Sequence, residues 1–181
     1  MVDLEEKQLS REEIYNGKVI HVVRDKVTLP DGNTAYREVC LHIGAVCVLP
    51  LLPSGDVIMV KQFRYPHGRV VLEVPAGKLD SRDEDPLDAA KRELREETGA
   101  VAEKYTDLGY LLPSPAVLSE RIRMYLAEDM AFTECDPDDD EFLNVVKIPL
   151  DELYGMVMRG EIEDAKTQIA VLKVWELKNR K

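Results

Sequence analysis

The sequence predicts an α/β fold with a mixed sheet. Segments with strand-like residue patterns fill the first half of the chain, one well-marked helix follows near the middle, and two helices end it. Strands around a central helix, followed by further helices, are typical of mixed α/β domains. The 181 residues, 45% of them hydrophobic, suffice for one domain with a modest additional element.

The first forty residues are predicted to form a β-hairpin. Residues 18–24 and 27–29 are rich in β-branched side chains, and residues 35–41 resume an extended pattern. Between them, residues 30–33 read Pro-Asp-Gly-Asn, which is turn chemistry. Further strands are predicted at residues 45–49, 57–63, 70–74, 105–112, 121–126 and 143–148, with a turn at 53–55.

Residues 86–98 carry the clearest helix signal. Asp85 suits the N-cap, Pro86 the first helical position and Gly99 the residue just past the end. Leu87, Ala90 and Leu94 form one apolar stripe. Two later helices are predicted at 150–158 and 164–177, the second with an inner face of Ala165, Ile169, Leu172 and Trp175.

The charge of the chain limits its partners. It has 24 Lys and Arg against 35 Asp and Glu, a formal charge of -11. Nucleic acid and anionic membranes are therefore poor partners, and an anionic substrate would need a bound metal to reverse the local field. Residues 1–10 lack the features of a signal peptide, and the three cysteines have no metal-ligand spacing. These features favour a cytoplasmic protein with reduced thiols.

The predicted central helix crowds carboxylates on one face. Glu96 and Glu97 follow Glu93 by three and four residues, a spacing at which like charges destabilise a helix. Arg92 can pair with Glu96, but no basic residue of the helix is placed to pair with both Glu93 and Glu97. Either this is a solvated acidic face, or it binds Mg²⁺ or Mn²⁺, which oxygen ligands favour over zinc.

These residues resemble the signature of the Nudix hydrolases. The motif here comprises Gly77, Glu84, Arg92-Glu93, Glu96-Glu97 and Gly99-Ala100. Six residues, instead of the family's usual five, separate Gly77 from Glu84. The resemblance implies a Nudix α/β/α sandwich at residues 44–181, preceded by an N-terminal β-hairpin extension at 1–43. It also implies that Glu93, Glu97 and the Ala76 carbonyl bind metal, that Glu96 takes part in catalysis and that Arg92 orients the cluster.

The flanking segments resemble the ADP-ribose pyrophosphatase branch of that family. They are residues 73–77, 61–64, 114–115 and 138–141, together with Gly17 and the Arg37-Glu38 pair. This resemblance implies a homodimer in which the N-terminal extension helps to wall the adenosine pocket. It assigns substrate contacts to Lys18, Val19, Arg37, Arg64, Lys78, Ser114 and Glu120.

Several of these residues keep an alternative interpretation. Arg64 suits bidentate phosphate contact, but it could be a surface arginine on a strand. Glu120 could equally be an ordinary acid at the start of a strand. Ala116 stands where the branch usually has glycine, which matters if the loop needs a positive φ. The histidines form no spaced cluster, so we expect ordinary roles for His21, His42 and His67.

An acidic run at residues 136–141 completes the implied site. The resemblance assigns Glu141 as a further metal ligand and Asp139 as the general base, with Glu120 as the alternative base. A disordered acidic loop is the ordinary interpretation of such a run.

The resulting functional prediction is hydrolysis of the pyrophosphate bond of ADP-ribose to AMP and ribose 5-phosphate, with two or three Mg²⁺ ions. Two alternatives stay open. One is hydrolysis of other nucleoside diphosphate sugars, and the other is a non-catalytic ADP-ribose sensor.

Overall fold

The computed structural model describes residues 3–133 and 142–180. The chain divides into two compact units. The first contains Met1–Gly44 and Leu112–Arg121, and the second contains Ala45–Leu111 and Ile122–Lys181.

The first unit is built on a three-stranded antiparallel sheet. Its strands, in the spatial order β1-β2-β3, are β1 (Lys7–Asn16), β2 (His21–Thr28) and β3 (Thr34–Leu41). The hairpin expected from the sequence is formed by β2 and β3. In its turn Asp31 Oδ1 accepts the Asn33 N–H at 2.9 Å, and Gly32 has a φ of +87°. The two segments predicted at 18–24 and 27–29 belong to one continuous strand.

Strand β1 was not predicted, because every one of its residues is exposed and its sequence shows no apolar alternation. Its side chains contribute cross-strand ion pairs instead. Arg11 donates to both carboxylate oxygens of Asp25 on β2, at 2.7 Å each. This pairing holds the pKa of Asp25 below its usual value. The extension therefore has one strand more than the expected hairpin.

Among its described residues, the second unit contains seven strands and three α-helices. Its strands are β4 (Ala45–Pro50), β5 (Asp56–Arg64), β6 (Arg69–Glu73), β7 (Ala76–Lys78), β8 (Ala100–Leu111), β9 (Ile122–Phe132) and β10 (Leu143–Pro149). Its helices are α1 (Pro86–Thr98), α2 (Leu150–Met158) and α3 (Ala165–Asn179). One sheet has the order β7-β4-β9-β8, with β4 and β9 parallel, and the other has the order β10-β5-β6. Strand β8 begins five residues before its prediction, and β9 continues six residues beyond its own.

Helices cover both faces of these sheets. Alternate residues of β4 enter different hydrophobic clusters: Leu49 packs in the cluster that contains Leu153 of α2, and Val48 packs in the cluster that contains Leu94 of α1. This is the side-chain alternation of a strand that is buried on both faces. The predicted α/β/α sandwich with mixed sheets is therefore confirmed.

Helix α1 begins and ends where the sequence predicts. Asp85 accepts the N–H groups of Leu87 and Asp88, and Gly99 closes the helix at a φ of +68°. Both features are local, so the sequence suffices to place them.

The predicted inner face of α3 is half right: Ile169 and Trp175 are partly buried and pack against the core, but Ala165 and Leu172 do not. Its buried residues are Lys166, Thr167, Ala170, Val171 and Val174, whereas Ala165 and Leu172 are exposed. Two of the buried positions are polar, which a search for large apolar side chains overlooks. Within the described ranges, no helix is long and apolar enough to cross a membrane.

Candidate active site

One arginine joins the carboxylates of α1. Arg92 Nη1 donates to Glu93 Oε1 at 2.8 Å and to Glu96 Oε2 at 3.2 Å, and its Nε donates to Glu84 Oε1 at 3.4 Å. Its Nη2 donates to the backbone carbonyl of Lys78 at 3.2 Å. Burial disfavours the charged guanidinium, but these carboxylates outweigh burial and raise the pKa of Arg92. Arg92 therefore stays charged and gathers three acids around itself.

The loop with the extra residue still brings Glu84 to Arg92. Glu84 Oε2 accepts the Asp80 N–H at 2.5 Å, and the Glu84 N–H donates to the Ser81 carbonyl at 3.4 Å. The loop thus absorbs the extra residue in a short turn of its own.

Strand β7 lies against the same face of α1. A Cβ atom placed on Gly77 would overlap the carboxylate of Glu93, so any larger residue would displace that carboxylate from its present position. One residue earlier, the Ala76 N–H donates to Glu97 Oε2 at 3.1 Å, and Glu97 is only 4% exposed. The backbone of β7 and two carboxylates of α1 consequently meet at one place.

These oxygens suit a hard divalent cation, which prefers carboxylate and carbonyl ligands. The carboxylates of Glu93 and Glu97 supply such oxygens, and both lie against the β7 backbone, at Gly77 and Ala76. Across the described residues, no three His, Cys, Asp or Glu side chains are arranged to hold a metal by themselves. The described residues thus fit part of a ligand set. The predicted ligand Glu141 and the predicted base Asp139 lie outside the described residues.

Arg64, predicted to contact phosphate, is paired with Glu73. Its Nε and Nη2 donate to the two carboxylate oxygens of Glu73 at 2.7 and 2.8 Å, and Lys166 of α3 donates to the same carboxylate. Burial would raise the pKa of Glu73, but the two cations lower it to about 2. Nη1 of Arg64 is the nitrogen that these bonds leave for a phosphate, so its substrate role stays a prediction.

Lys166 is a member of this cluster that sequence reasoning missed. It lies 93 residues from Glu73 in the chain, so local sequence carries no sign of their contact.

Five of the predicted substrate residues belong to the first unit. Lys18 and Val19 lie in the turn between β1 and β2, where Val19 is 65% exposed. Arg37 on β3 donates to both oxygens of Glu6, at 2.9 and 2.5 Å. Lys78, by contrast, ends β7 in the second unit.

Ser114 and Glu120 occupy the second segment of the first unit. The Ser114 carbonyl accepts the N–H groups of Val117 and Leu118, at 3.2 and 2.9 Å. Ala116 does not adopt a positive φ, which among described non-glycine residues is seen only at Asp129. Its replacement of the usual glycine therefore causes no backbone strain.

His42 contacts Glu120, a role that sequence reasoning did not give it. Its Nδ1 accepts the Gly44 N–H at 3.1 Å, so a neutral ring carries its proton on Nε2. That nitrogen lies 3.6 Å from Glu120 Oε1.

Comparisons with known proteins agree with this geometry. A family profile described as the NUDIX domain matches residues 41–170, and one described as the nucleoside diphosphate sugar hydrolase N-terminal domain matches residues 6–39. The ADP-ribose pyrophosphatase of Bacillus subtilis (strain 168) is 42% identical over 94% of this chain and 93% of its own. The methanol dehydrogenase activator of Bacillus methanolicus is 38% identical over 92% of this chain and 91% of its own. A crystal structure of an ADP compounds hydrolase, 21% identical, has the same fold with a TM-score of 0.84 and 97% coverage of both chains.

Proposed function

Because this chain belongs to the Nudix hydrolase family, we propose that it hydrolyses the pyrophosphate bond of ADP-ribose in the presence of Mg²⁺. The products are AMP and ribose 5-phosphate. The observation that carries the proposal is the meeting of the Glu93 and Glu97 carboxylates with the β7 backbone, in a chain 42% identical to an ADP-ribose pyrophosphatase.

Residues of the second unit have separate roles in the proposed hydrolysis. Glu93, Glu97 and the Ala76 carbonyl would hold Mg²⁺, which would supply positive charge at the phosphates and lower the pKa of a bound water. Arg92 keeps Glu93 and Glu96 in place through its hydrogen bonds. Arg64 and Lys78 contact the phosphates of the substrate.

The acidic run supplies the remaining carboxylates in this proposal. Asp139 takes the proton of the attacking water, and Glu141 adds a metal ligand. Glu120 is the alternative base. Water attacks directly, so no covalent intermediate on the enzyme is needed.

Hydrolysis of other nucleoside diphosphate sugars is the second candidate. It is favoured by the match of residues 6–39 to a profile described for nucleoside diphosphate sugar hydrolases in general. The assignment of Lys18, Val19, Arg37, Ser114 and Glu120 to the substrate bears on this choice and stays a prediction.

We also propose that the protein is a homodimer formed through the sheet of the first unit. Strand β1 lies at the edge of that sheet with all ten residues exposed. Such an edge pairs readily with another chain unless it is covered. Exposed apolar side chains on and beside it are Leu9, Ile14, Tyr15, Val19 and Ile20. A monomer in light scattering at micromolar concentration would contradict this assembly.

The central experiment compares substrates and products. The protein is incubated with ADP-ribose, ADP-glucose or GDP-mannose, each with Mg²⁺ and with EDTA, and products are separated by ion-exchange chromatography. We expect AMP and ribose 5-phosphate from ADP-ribose, at a higher kcat/KM than for the other two, and no turnover in EDTA.

Equal kcat/KM values for all three compounds would favour the second candidate. Binding of ADP-ribose without any product would instead indicate a sensor and overturn the hydrolytic proposal.

A further inference from the structure

The first turn of α3 contacts the chain that leads into β7. Thr167 Oγ1 donates to Asp164 Oδ2 at 2.6 Å and accepts the Val74 N–H at 2.9 Å. Asp164 Oδ2 also accepts the Thr167 N–H at 3.0 Å, as the N-cap of the helix. Thr167 is fully buried, so its hydroxyl is the group that satisfies the Val74 N–H away from water.

This contact is one of three hydrogen bonds that hold residues 74–76. We call these residues the connecting segment; they comprise the two residues between β6 and β7 and the first residue of β7. The Pro75 carbonyl accepts the Val48 N–H at 2.9 Å, and the Ala76 N–H donates to Glu97. Proline has no N–H to offer, so Val74 and Ala76 carry the only backbone donors of the segment. Loss of the Thr167 hydroxyl would leave the Val74 N–H buried without a partner, which favours movement of the segment.

The neighbouring lysine balances the charge beside Arg64. Lys166 donates to Glu73 and, at 3.0 Å, to Asp164 Oδ1, and it is only 9% exposed. Arg64 and Lys166 are two cations, and Glu73 and Asp164 are two anions, so the four groups sum to zero. Without Lys166 the group would carry one net negative charge next to Arg64, and that charge would repel a phosphate.

We propose that Thr167 and Lys166 are positioning residues for the Nudix site. Thr167 fixes the connecting segment and thereby the Ala76 carbonyl that faces the metal. Lys166 neutralises the carboxylates around Arg64 so that its guanidinium can contact the substrate phosphates. The inference rests on the proposed function, because it takes Ala76 and Arg64 as metal and phosphate contacts.

The Thr167 part is tested with Thr167→Val, which removes the hydroxyl at nearly constant volume. We expect the Mg²⁺ concentration for half-maximal rate to rise about 10- to 100-fold, as is usual when support of a metal ligand is lost. Mn²⁺ affinity, measured by calorimetry without substrate, should fall by a similar factor. Thr167→Ser keeps the hydroxyl and should restore both values to within about threefold of wild type.

The matched control is Gln168→Met. Gln168 is the next residue of the same helix, and its Nε2 donates to the Ile162 carbonyl at 2.6 Å, away from the connecting segment. This variant loses a side-chain hydrogen bond of α3 but should keep wild-type Mg²⁺ and Mn²⁺ dependence. Should Thr167→Val not fold, Thr167→Ala provides the same comparison.

The Lys166 part is tested with Lys166→Met, for which we expect KM for ADP-ribose to rise about tenfold with a smaller change in kcat. The double variant Asp164→Asn/Lys166→Met restores zero net charge and keeps a side chain that can cap α3. Its KM should return towards the wild-type value. An unchanged KM in Lys166→Met, or a double variant no better than the single one, overturns this part.

The outcomes separate this inference from the proposed function. If wild-type protein does not cleave ADP-ribose, the proposed function fails, and the Mn²⁺ affinities of wild type and Thr167→Val still test the role of Thr167. If ADP-ribose is cleaved but Thr167→Val binds Mn²⁺ like wild type and only melts at a lower temperature, Thr167 is merely structural and the inference fails alone.

Discussion

Two charged clusters in the second unit use similar residues to different ends. In the α1 cluster one cation, Arg92, contacts the carboxylates of Glu84, Glu93 and Glu96. In the α3 cluster, the cations of Arg64 and Lys166 face the carboxylates of Glu73 and Asp164. The first cluster has an excess of negative charge, and the second is balanced.

This difference in net charge indicates a different role for each cluster. In a balanced group the attraction between opposite charges offsets much of the cost of desolvation, and Glu73 is 3% exposed with a pKa of about 2. The excess negative charge of the α1 cluster calls for a positive ion from outside the protein, and a divalent cation neutralises it best. We therefore interpret the α1 cluster as the reacting site and the α3 cluster as its support.

The largest effect should follow from removing charge in the α1 cluster. Glu93→Gln or Glu97→Gln should lower kcat about 10³-fold, since a metal contributes several kcal/mol to the stabilisation of the transition state. The fold should be retained, because amide and carboxylate have nearly the same shape. Assays with excess ADP-ribose, stopped at timed intervals, measure kcat, and circular dichroism checks that the fold is retained. Near-normal Mg²⁺-dependent activity in both variants would contradict the catalytic role of this cluster.

The acidic run should show the next largest effects, divided between two residues. Asp139→Asn should lower kcat about 10²-fold with little change in Mg²⁺ dependence, because a general base acts on the proton and not on the metal. Glu141→Gln should instead raise the Mg²⁺ concentration needed for half-maximal rate. Asp139→Glu should be tolerated, since the family usually has the longer acid there. Full activity in Asp139→Asn with none in Glu120→Gln would move the base to Glu120.

What the sequence could predict depended on how local the determinants are. The ends of α1 follow from Asp85, Pro86 and Gly99, all within the helix or next to it. The carboxylate face of α1 follows in the same way from the spacing of Glu93, Glu96 and Glu97. The α/β class could be anticipated because strand-like segments surround a central helix and two helices follow. The α/β/α sandwich itself was implied by the resemblance to the Nudix family.

The remaining features depend on contacts that are distant in sequence or lack an apolar pattern. Strand β1 is held by pairing with β2 and by Arg11–Asp25, not by burial of its own side chains. The inner face of α3 includes Lys166, which is buried because Asp164 and the distant Glu73 accept its hydrogen bonds. The contact of His42 with Glu120 joins residues 78 positions apart. No window of the sequence contains both partners of such pairs.

Removal of the Glu73 carboxylate from the α3 cluster should reduce the stability of the fold. Glu73→Gln should lower the free energy of unfolding by roughly 3 kcal/mol at pH 7, because two cations lose their shared carboxylate. The folded pKa of Glu73 is lowered from 4.5 to about 2, so its contribution is fully present above pH 4.5 and is lost as the pH falls towards 2. Urea unfolding at pH 7, 4 and 3 should therefore show that the difference in free energy of unfolding between wild type and Glu73→Gln becomes smaller as the pH falls.

The control for this prediction is Glu103→Gln, which changes an exposed carboxylate on β8. Its effect should stay within about 0.5 kcal/mol at every pH. A wild-type to Glu73→Gln difference that is constant from pH 7 to 3 would show that the ionised form of Glu73 is not what stabilises the fold.

The smallest effects should distinguish the two arginines around the α1 cluster. Arg95 also contacts Glu96, at 3.2 Å, but its side chain is half exposed, so Arg95→Gln should change stability by no more than about 0.5 kcal/mol. Arg92→Gln leaves Glu84, Glu93 and Glu96 without their shared cation, and without Mg²⁺ it should melt about 2–4 °C lower for each kcal/mol lost.

Mg²⁺ at ten times its Kd should stabilise wild-type protein by about 1.4 kcal/mol. Saturating Mg²⁺ should raise the melting temperature of Arg92→Gln more than that of the wild type. In the variant, Mg²⁺ also reduces the repulsion among the carboxylates, which Arg92 reduces in the wild type. The melting temperatures of wild type, Arg95→Gln and Arg92→Gln are measured by thermal unfolding, once with EDTA and once with Mg²⁺. Equal Mg²⁺-induced increases in the two variants would show that Arg92 and the metal do not act on the same acids.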